Sequence, residues 1–129
     1  MTTDRLPTEG LLIVDGANVV GSRPDGWWRD RAGAAARLRD RLAAAVERGV
    51  VPAAVEVVLV VEGKARDIEK SERIRVLSAP GSGDDTVVGV ARSAEGPALV
   101  VTADRGLRDR VVAAGASVVG PGTLYRWLE

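Results

Sequence analysis

The sequence predicts a three-layer α/β/α domain built on a mainly parallel sheet, and three observations lead to it. Aliphatic runs alternate with helix-like stretches along the whole chain. Those runs are continuous in Val, Ile and Leu, which suits strands covered on both faces. Right-handed crossovers then bring the turns that leave such strands to one rim of the sheet, and in this chain those turns are acidic.

The elements follow in order. Leu11–Asp15, a short aliphatic run ending at Gly16, reads as a buried strand. Asp30–Arg48 is a helix, with Ala35, Leu38, Leu42 and Val46 on its inner face, Arg37, Arg41 and Arg48 around its outer surface, and Gly49 at its end. Val55–Val61 is a fully covered β-branched strand. Glu62–Glu72, charged throughout, is an exposed loop or short irregular helix. Arg73–Leu77 alternates and reads as a strand nearer an edge. Ala79–Gly83 breaks the chain, and Asp84 or Asp85 opens a helix through Ala94 that buries Val87, Val88, Val90 and Ala91. Gly96 and Pro97 stop it. Ala98–Thr102 is a strand, Asp104–Ala114 a helix, Ser117–Val119 a short strand, and Thr123–Leu128 a last helical turn or two with Tyr125 and Trp127 available for packing. The 129 residues are the size of one domain, with residues 1–10 expected as a flexible tail and no linker or repeat beyond them.

Composition narrows the chemistry. The chain has no His and no Cys, which excludes Ser-His-Asp triads, thiol catalysis, Cys/His zinc sites and disulfides. Eighteen basic residues balance eighteen acidic ones, so no global field attracts nucleic acid or membrane, although a local basic patch is still open. Nothing reaches the roughly 18 apolar residues of a membrane helix, and the polar start is unlike a signal peptide, so a soluble cytoplasmic protein is expected.

What remains is carboxylate chemistry. The strand ends deliver Asp15-Gly16-Ala17-Asn18, then Glu62-Gly63-Lys64, then Asp84-Asp85 at a helix start, then Thr102-Ala103-Asp104-Arg105. Singly, each acid has a structural explanation: an Asx turn for Asp15, an N-cap for Asp84 or Asp85 and again for Asp104. Together they place five carboxylates and one carboxamide on one rim, where unpaired anions repel. Hard oxygen donors of this kind suit Mg²⁺ or Mn²⁺, one or two ions, and a divalent cation supplies the acidic water that a His-free chain otherwise lacks. Lys64, Arg66 and Arg105 lie just beyond strand ends, as solvated loop charges or as receivers of phosphate. Trp27-Trp28 either divides between core and surface or stacks on unpaired bases.

With those residues in hand, the chain resembles the NYN domain, a branch of the PIN-like nuclease superfamily that includes the bacterial YacP-type ribonucleases. Asp15-Gly-x-Asn18, Gly83-Asp84-Asp85 and Val101-Thr102-x-Asp104 carry the resemblance, which spans about Leu11 to Val119. It implies strand order 3-2-1-4-5 and a Mg²⁺- or Mn²⁺-dependent endoribonuclease. Asp15, Asp84 or Asp85, and Asp104 would be metal ligands; Asn18 would orient a water or phosphate oxygen, and Thr102 would hydrogen-bond a carboxylate. Many relatives carry Asp where this chain has Glu62, which leaves Glu62 a supporting place around the ligands. Single-stranded RNA is the implied partner, with a homodimer or a delivery partner left open. Two other functions fit the same acids less fully: hydrolysis of small nucleotide phosphates, and an inactive PIN-like module that binds RNA or protein.

Overall fold

The computed structural model describes residues 5–129. Five strands, β1 (Gly10–Asp15), β2 (Val55–Val61), β3 (Ile74–Ser78), β4 (Ala98–Val101) and β5 (Ser117–Val119), form one sheet in the order 3-2-1-4-5. Every neighbouring pair is parallel. β1 therefore sits centrally, and the chain steps outward through β2 and β3 before returning across it to β4 and β5. The carboxyl ends of β1 and β4 flank the point where strand order reverses, the crevice in which open α/β sheets place their ligands.

Strand alternation sorts the core into two layers. Leu12, Val14, Val57, Leu59, Val61, Leu99 and Val101 face α2 (Arg31–Glu47) and α5 (Pro121–Leu128), with Val19 of α1 (Gly16–Gly21) in the same cluster. Ile13, Val58, Val60, Val100 and Val118 face α3 (Gly83–Ser93) and α4 (Arg105–Ala113). A sheet buried on both sides explains why its strands read as continuous aliphatic runs. No helix among the described residues is long and apolar enough to cross a membrane.

Several expectations shift. The segment after Asp15, read as a turn, is the short helix α1. The last helix begins at Pro121, whose fixed φ suits a first helical position, and not at Thr123. Val46 and Val90 are half-buried, because Ala45 and Val87 with Ala91 hold the inner faces of their helices. The tail expected over residues 1–10 is not one throughout: Leu6 packs against the first core layer and Gly10 opens β1, while residues 1–4 lie outside the described residues.

One glycine governs how closely α1 follows the sheet. A Cβ at Gly16 would stand 2.5 Å from the Val60 carbonyl oxygen of the neighbouring strand, whereas one at Gly89, within α3, would meet nothing within 4 Å. Gly16→Ala is expected to cost about 1–3 kcal/mol by forcing backbone apart. Gly89→Ala should stabilise by roughly 0.5–1 kcal/mol through helix propensity. Urea unfolding of both variants checks the contrast, and equal effects would contradict the tight seat of α1 on β2.

Candidate active site at the head of the central strands

Asp15 ends β1 with only 4% of its surface exposed, so its carboxylate is held in the protein at the strand-order reversal. Thr102, fully buried just past β4, donates its hydroxyl to Asp15 Oδ2 at 2.9 Å, which ties the two central strands together. The same oxygen, Thr102 Oγ1, accepts the Asp104 amide at 3.2 Å. Asn18, one turn into α1, accepts the Ala103 amide through Oδ1 at 2.8 Å. Two side chains from β1 and α1 thus clamp the three-residue turn that carries Asp104. Asp15 makes no geometric capping hydrogen bond to α1, although the Asn18 backbone amide favours its charged form.

Burial pushes the Asp15 carboxyl up to about 6. The Thr102 hydroxyl and the Asn18 amide oppose that rise, and the negative charges of Asp84 and Glu62 add to it. Asp84, in the first turn of α3, is also raised, first by burial and then by Asp104, with Arg110 opposing. Negative charge at Asp84 and Glu62 thus acts on Asp15, and that at Asp104 acts on Asp84.

The N-cap of α3 is Ser82, whose Oγ accepts the Asp84 amide at 3.3 Å, so neither acid serves as the cap. The two acids diverge. Asp84 is half-buried and coupled to Asp15 and Asp104, while Asp85 is exposed and pairs with Arg110 of α4 at 2.8 Å. Asp104 does cap its helix, accepting the Leu107 amide at 3.0 Å through Oδ1, which leaves Oδ2 without a helical partner. Glu62, half-buried beyond β2, lies against the start of α3: its Oε1 is 3.0 Å from where a Gly83 Cβ would stand. Lys64 and Arg66 are exposed on the following turn, Arg66 donating to the Gly63 carbonyl at 3.3 Å, and Arg105 is exposed at the first position of α4.

The donor set is hard oxygen throughout, and its mutual repulsion is what a bound divalent cation relieves. In chemistry the residues fit Mg²⁺ or Mn²⁺. Among the described residues no group of three or more acids stands close enough together to hold a metal ion.

Beside the acids runs a cleft of about 250 Å³ between α1, α2 and the turn after β2, walled by Gly16, Ala17, Trp27, Arg31 and Glu62 among others. Trp27 lies half-buried in it with the Arg31 guanidinium 5.3 Å from its ring centre. Trp28, edge-on to Trp27 at 6.0 Å, is 53% exposed. The adjacent tryptophans divide between packing and solvent, as such pairs commonly do. No local pattern marks Gly16 and Ala17 as sharing a wall with Trp27, because that wall exists only once α1 is a helix.

A five-stranded, all-parallel sheet in the order 3-2-1-4-5 is the α/β fold that the chain shares with solved structures. Among solved structures the chain is similar to Rae1 (YacP) from Bacillus subtilis, at 20% identity and a TM-score of 0.71 over 92% of this chain and 72% of that one. It is similar also to a tryptophan-to-leucine mutant of Rae1, at 19% identity and a TM-score of 0.68, covering 92% and 73%. No family model matches the sequence. No curated protein matches it either.

The buried charge at Asp15 has a thermodynamic signature. A carboxyl whose folded-state pKa lies above its unfolded value binds its proton more tightly when folded. That contribution is whole below pH 4 and is lost as pH rises through about 6. Asp15→Asn keeps an acceptor for Thr102 and never ionises. Its stability relative to the unsubstituted chain should therefore rise by about 2.5 kcal/mol between pH 4 and pH 7.5, following the shift to about 6. Urea unfolding at the two pH values measures the difference, and a gap independent of pH would contradict the buried-anion account.

Proposed function

We propose that the chain is a Mg²⁺- or Mn²⁺-dependent endoribonuclease acting on single-stranded RNA. The observation that carries the reading is the coupled anionic group at the strand-order reversal: buried Asp15, with Asp84 and Asp104 acting on each other beside it. A structural cap or turn needs one carboxylate and gains nothing from a second that raises its pKa, whereas a cation site uses that repulsion. The likeness to Rae1 supports the same substrate class, since the YacP-type proteins that this chain resembles are ribonucleases.

Asp15, Asp84 and Asp104 would hold the cation. When bound, the cation supplies neutralisation of the phosphoryl oxygens and a more acidic water. The chain's own residues provide the rest. Thr102 fixes the direction of the Asp15 carboxylate by donating to Oδ2, and the clamp of Asn18 on Ala103 holds the Asp104 turn in place. Asn18 spends its oxygen on that clamp, so its part is positioning, with only its amide hydrogens left for a water or phosphate oxygen. Asp85, neutralised by Arg110 and turned to solvent, lies outside the ligand set. Glu62 keeps the potential between Asp15 and α3 negative without being a necessary ligand. Lys64, Arg66 and Arg105 are exposed and would receive the phosphates of the strand being cut.

The test sets an RNA panel against nucleoside triphosphates, each with Mn²⁺ and with EDTA. Cleavage of single-stranded RNA that EDTA abolishes is the expected result. Hydrolysis of triphosphates alone would overturn the reading in favour of a small-nucleotide hydrolase, and RNA binding without cleavage would overturn it in favour of an inactive module. Asp104→Asn should abolish cleavage with the fold intact, because Asn caps a helix as well as Asp. Asp84→Asn should lower the rate by about 100-fold or more, in the range found when a group acting in the transition state is removed. Asp85→Asn should change it only a few-fold, and equal losses at the two positions would contradict the assignment of Asp84.

A further inference from the structure

Three arginines meet in a second pocket, of about 210 Å³, on the flank formed by α2, the segment after α1, and α5. The Arg23 guanidinium lies over the Tyr125 ring, 3.6 Å from its centre, and that of Arg41 stands 5.2 Å from the centre of the same ring. Arg37, one turn before Arg41 on α2, completes the wall. Tyr125 is itself fixed, donating its hydroxyl to the Val19 carbonyl at 3.2 Å. Among the described residues none of the three arginines makes an ion pair, although the chain pairs others at Arg39, Arg75 and Arg110. Asp25 is the one acid in the pocket wall. The pocket therefore keeps a local surplus of two positive charges with their donors unspent. Stacking on a fixed ring orders Arg23 and Arg41 before any ligand arrives, which lowers the entropy lost on binding.

The position of the pocket says what the anion belongs to. Val20 forms part of its wall and also part of the wall of the Trp27 cleft, which in turn reaches Gly16 and Glu62 at the acidic rim. Rim, aromatic cleft and arginine pocket are thus continuous along α1, whose rise from Asp15 to Val20 is about 8 Å. A polymer with phosphates at regular intervals engages such a path, whereas a small nucleotide held at the rim does not extend along it.

We propose that the Arg23–Arg37–Arg41 pocket is a phosphodiester site, which anchors a single-stranded RNA at a phosphate removed from the one being cut. The inference rests on the ribonuclease reading for its substrate and adds the place where the strand is held. It also answers a difficulty of that reading, because an acidic rim on a chain of zero net charge repels RNA unless a separate cationic site attracts it.

Binding of a labelled single-stranded RNA oligomer is measured by fluorescence anisotropy in EDTA, so that no cleavage is involved, across about 50–200 mM salt. The double variant Arg37→Glu, Arg41→Glu is expected to raise Kd at least tenfold and to flatten the slope of log K against log salt by about 1.4, near 0.7 per lost single-strand phosphate contact. The milder Arg37→Gln leaves the Tyr125 stack untouched and should flatten the slope by about 0.7, which guards against misfolding as the cause. Arg92→Glu, on α3, alters net charge without touching the pocket and should leave affinity near that of the unsubstituted chain. Losses at Arg92 equal to those at Arg37 and Arg41, or no loss at any of them, would overturn the site. Competition by ATP, inorganic phosphate or poly-glutamate as effective as by RNA, at matched charge, would overturn the RNA-strand assignment. Arginine-dependent RNA binding by a chain that cuts no RNA would support the site while removing the nuclease reading. RNA cleavage with binding indifferent to Arg37 and Arg41 would remove the site and leave the nuclease reading standing.

Discussion

The hydrogen bond between Thr102 and Asp15 is the interaction on which the site depends. It joins the ends of β1 and β4, the two strands between which the sheet reverses its order, and it does so around a carboxylate with almost no contact with water. A parallel sheet has no chemistry at its centre, since its side chains there are Val, Ile and Leu committed to two apolar layers. Chemistry becomes possible where the strands end and their side chains need no longer be apolar. Asp15 is the first residue of β1 at which that holds, and burial still charges it a penalty that shows as a carboxyl raised to about 6. One hydroxyl does not offset such a penalty, and the nearby Asp84 and Glu62 deepen it. The fold tolerates an unfavourable anion at this point because the rest of the sheet is fully covered, a division of stability and function common at active sites.

Much of this was legible in the sequence, and what was legible has a common physical cause. A strand covered on both faces is apolar at nearly every position, so Val55–Val61 and Ser117–Val119 announce themselves with their exact bounds. The acids stood out because they follow those runs directly. What the sequence concealed are features decided by tertiary contact. The residues of α1, Gly-Ala-Asn-Val-Val-Gly, carry two β-branched side chains and two glycines, a poor helix by propensity. It forms because Val19 seats in the core and Gly16 lets the backbone approach Val60. Asp84 and Asp85 are adjacent in sequence and equivalent by composition, and only the orientation of α3 relative to α4 separates them, one toward Asp15 and one toward Arg110. The arginine pocket needed α5 to bring Tyr125 beneath Arg23 and Arg41, a contact across some hundred residues that no local pattern encodes.

Zero net charge conceals a segregated surface. Residues 16–48 carry seven arginines against four acids, a local excess of three positive charges, while the strand-end turns gather Asp15, Glu62, Asp84, Asp85 and Asp104. Two regions of opposite sign on a neutral body produce a dipolar field and not a monopolar one. Long-range attraction of a polyanion is accordingly weak, and beyond a Debye length of about 8–10 Å in ordinary salt it vanishes. What remains acts at contact distance, and there it is directional: a strand is repelled where its phosphates meet the acids and held where they meet guanidinium groups. Such a surface orients a polyanion already near it better than it gathers one from solution.

The same segregation bears on the burial of Asp15 and the partial burial of Glu62 and Asp84, beside the exposed Asp85 and Asp104. If Asp15 were exposed, water would screen it from Asp84 and Glu62, its pKa would fall to the ordinary range, and the rim would be a set of independent solvated charges. Burial keeps these charges coupled, so a single divalent ion entering the rim relieves several repulsions at once, a larger gain than the sum of separate surface contacts. It also makes the rim selective by charge. A monovalent ion relieves half as much and is dehydrated for a smaller return. The arginines of the flank cannot substitute, because the turns that carry the acids are held in place by Thr102 and Asn18 and do not swing toward them. Holding the two signs apart on a rigid sheet is therefore what keeps the acids and the arginines from neutralising one another.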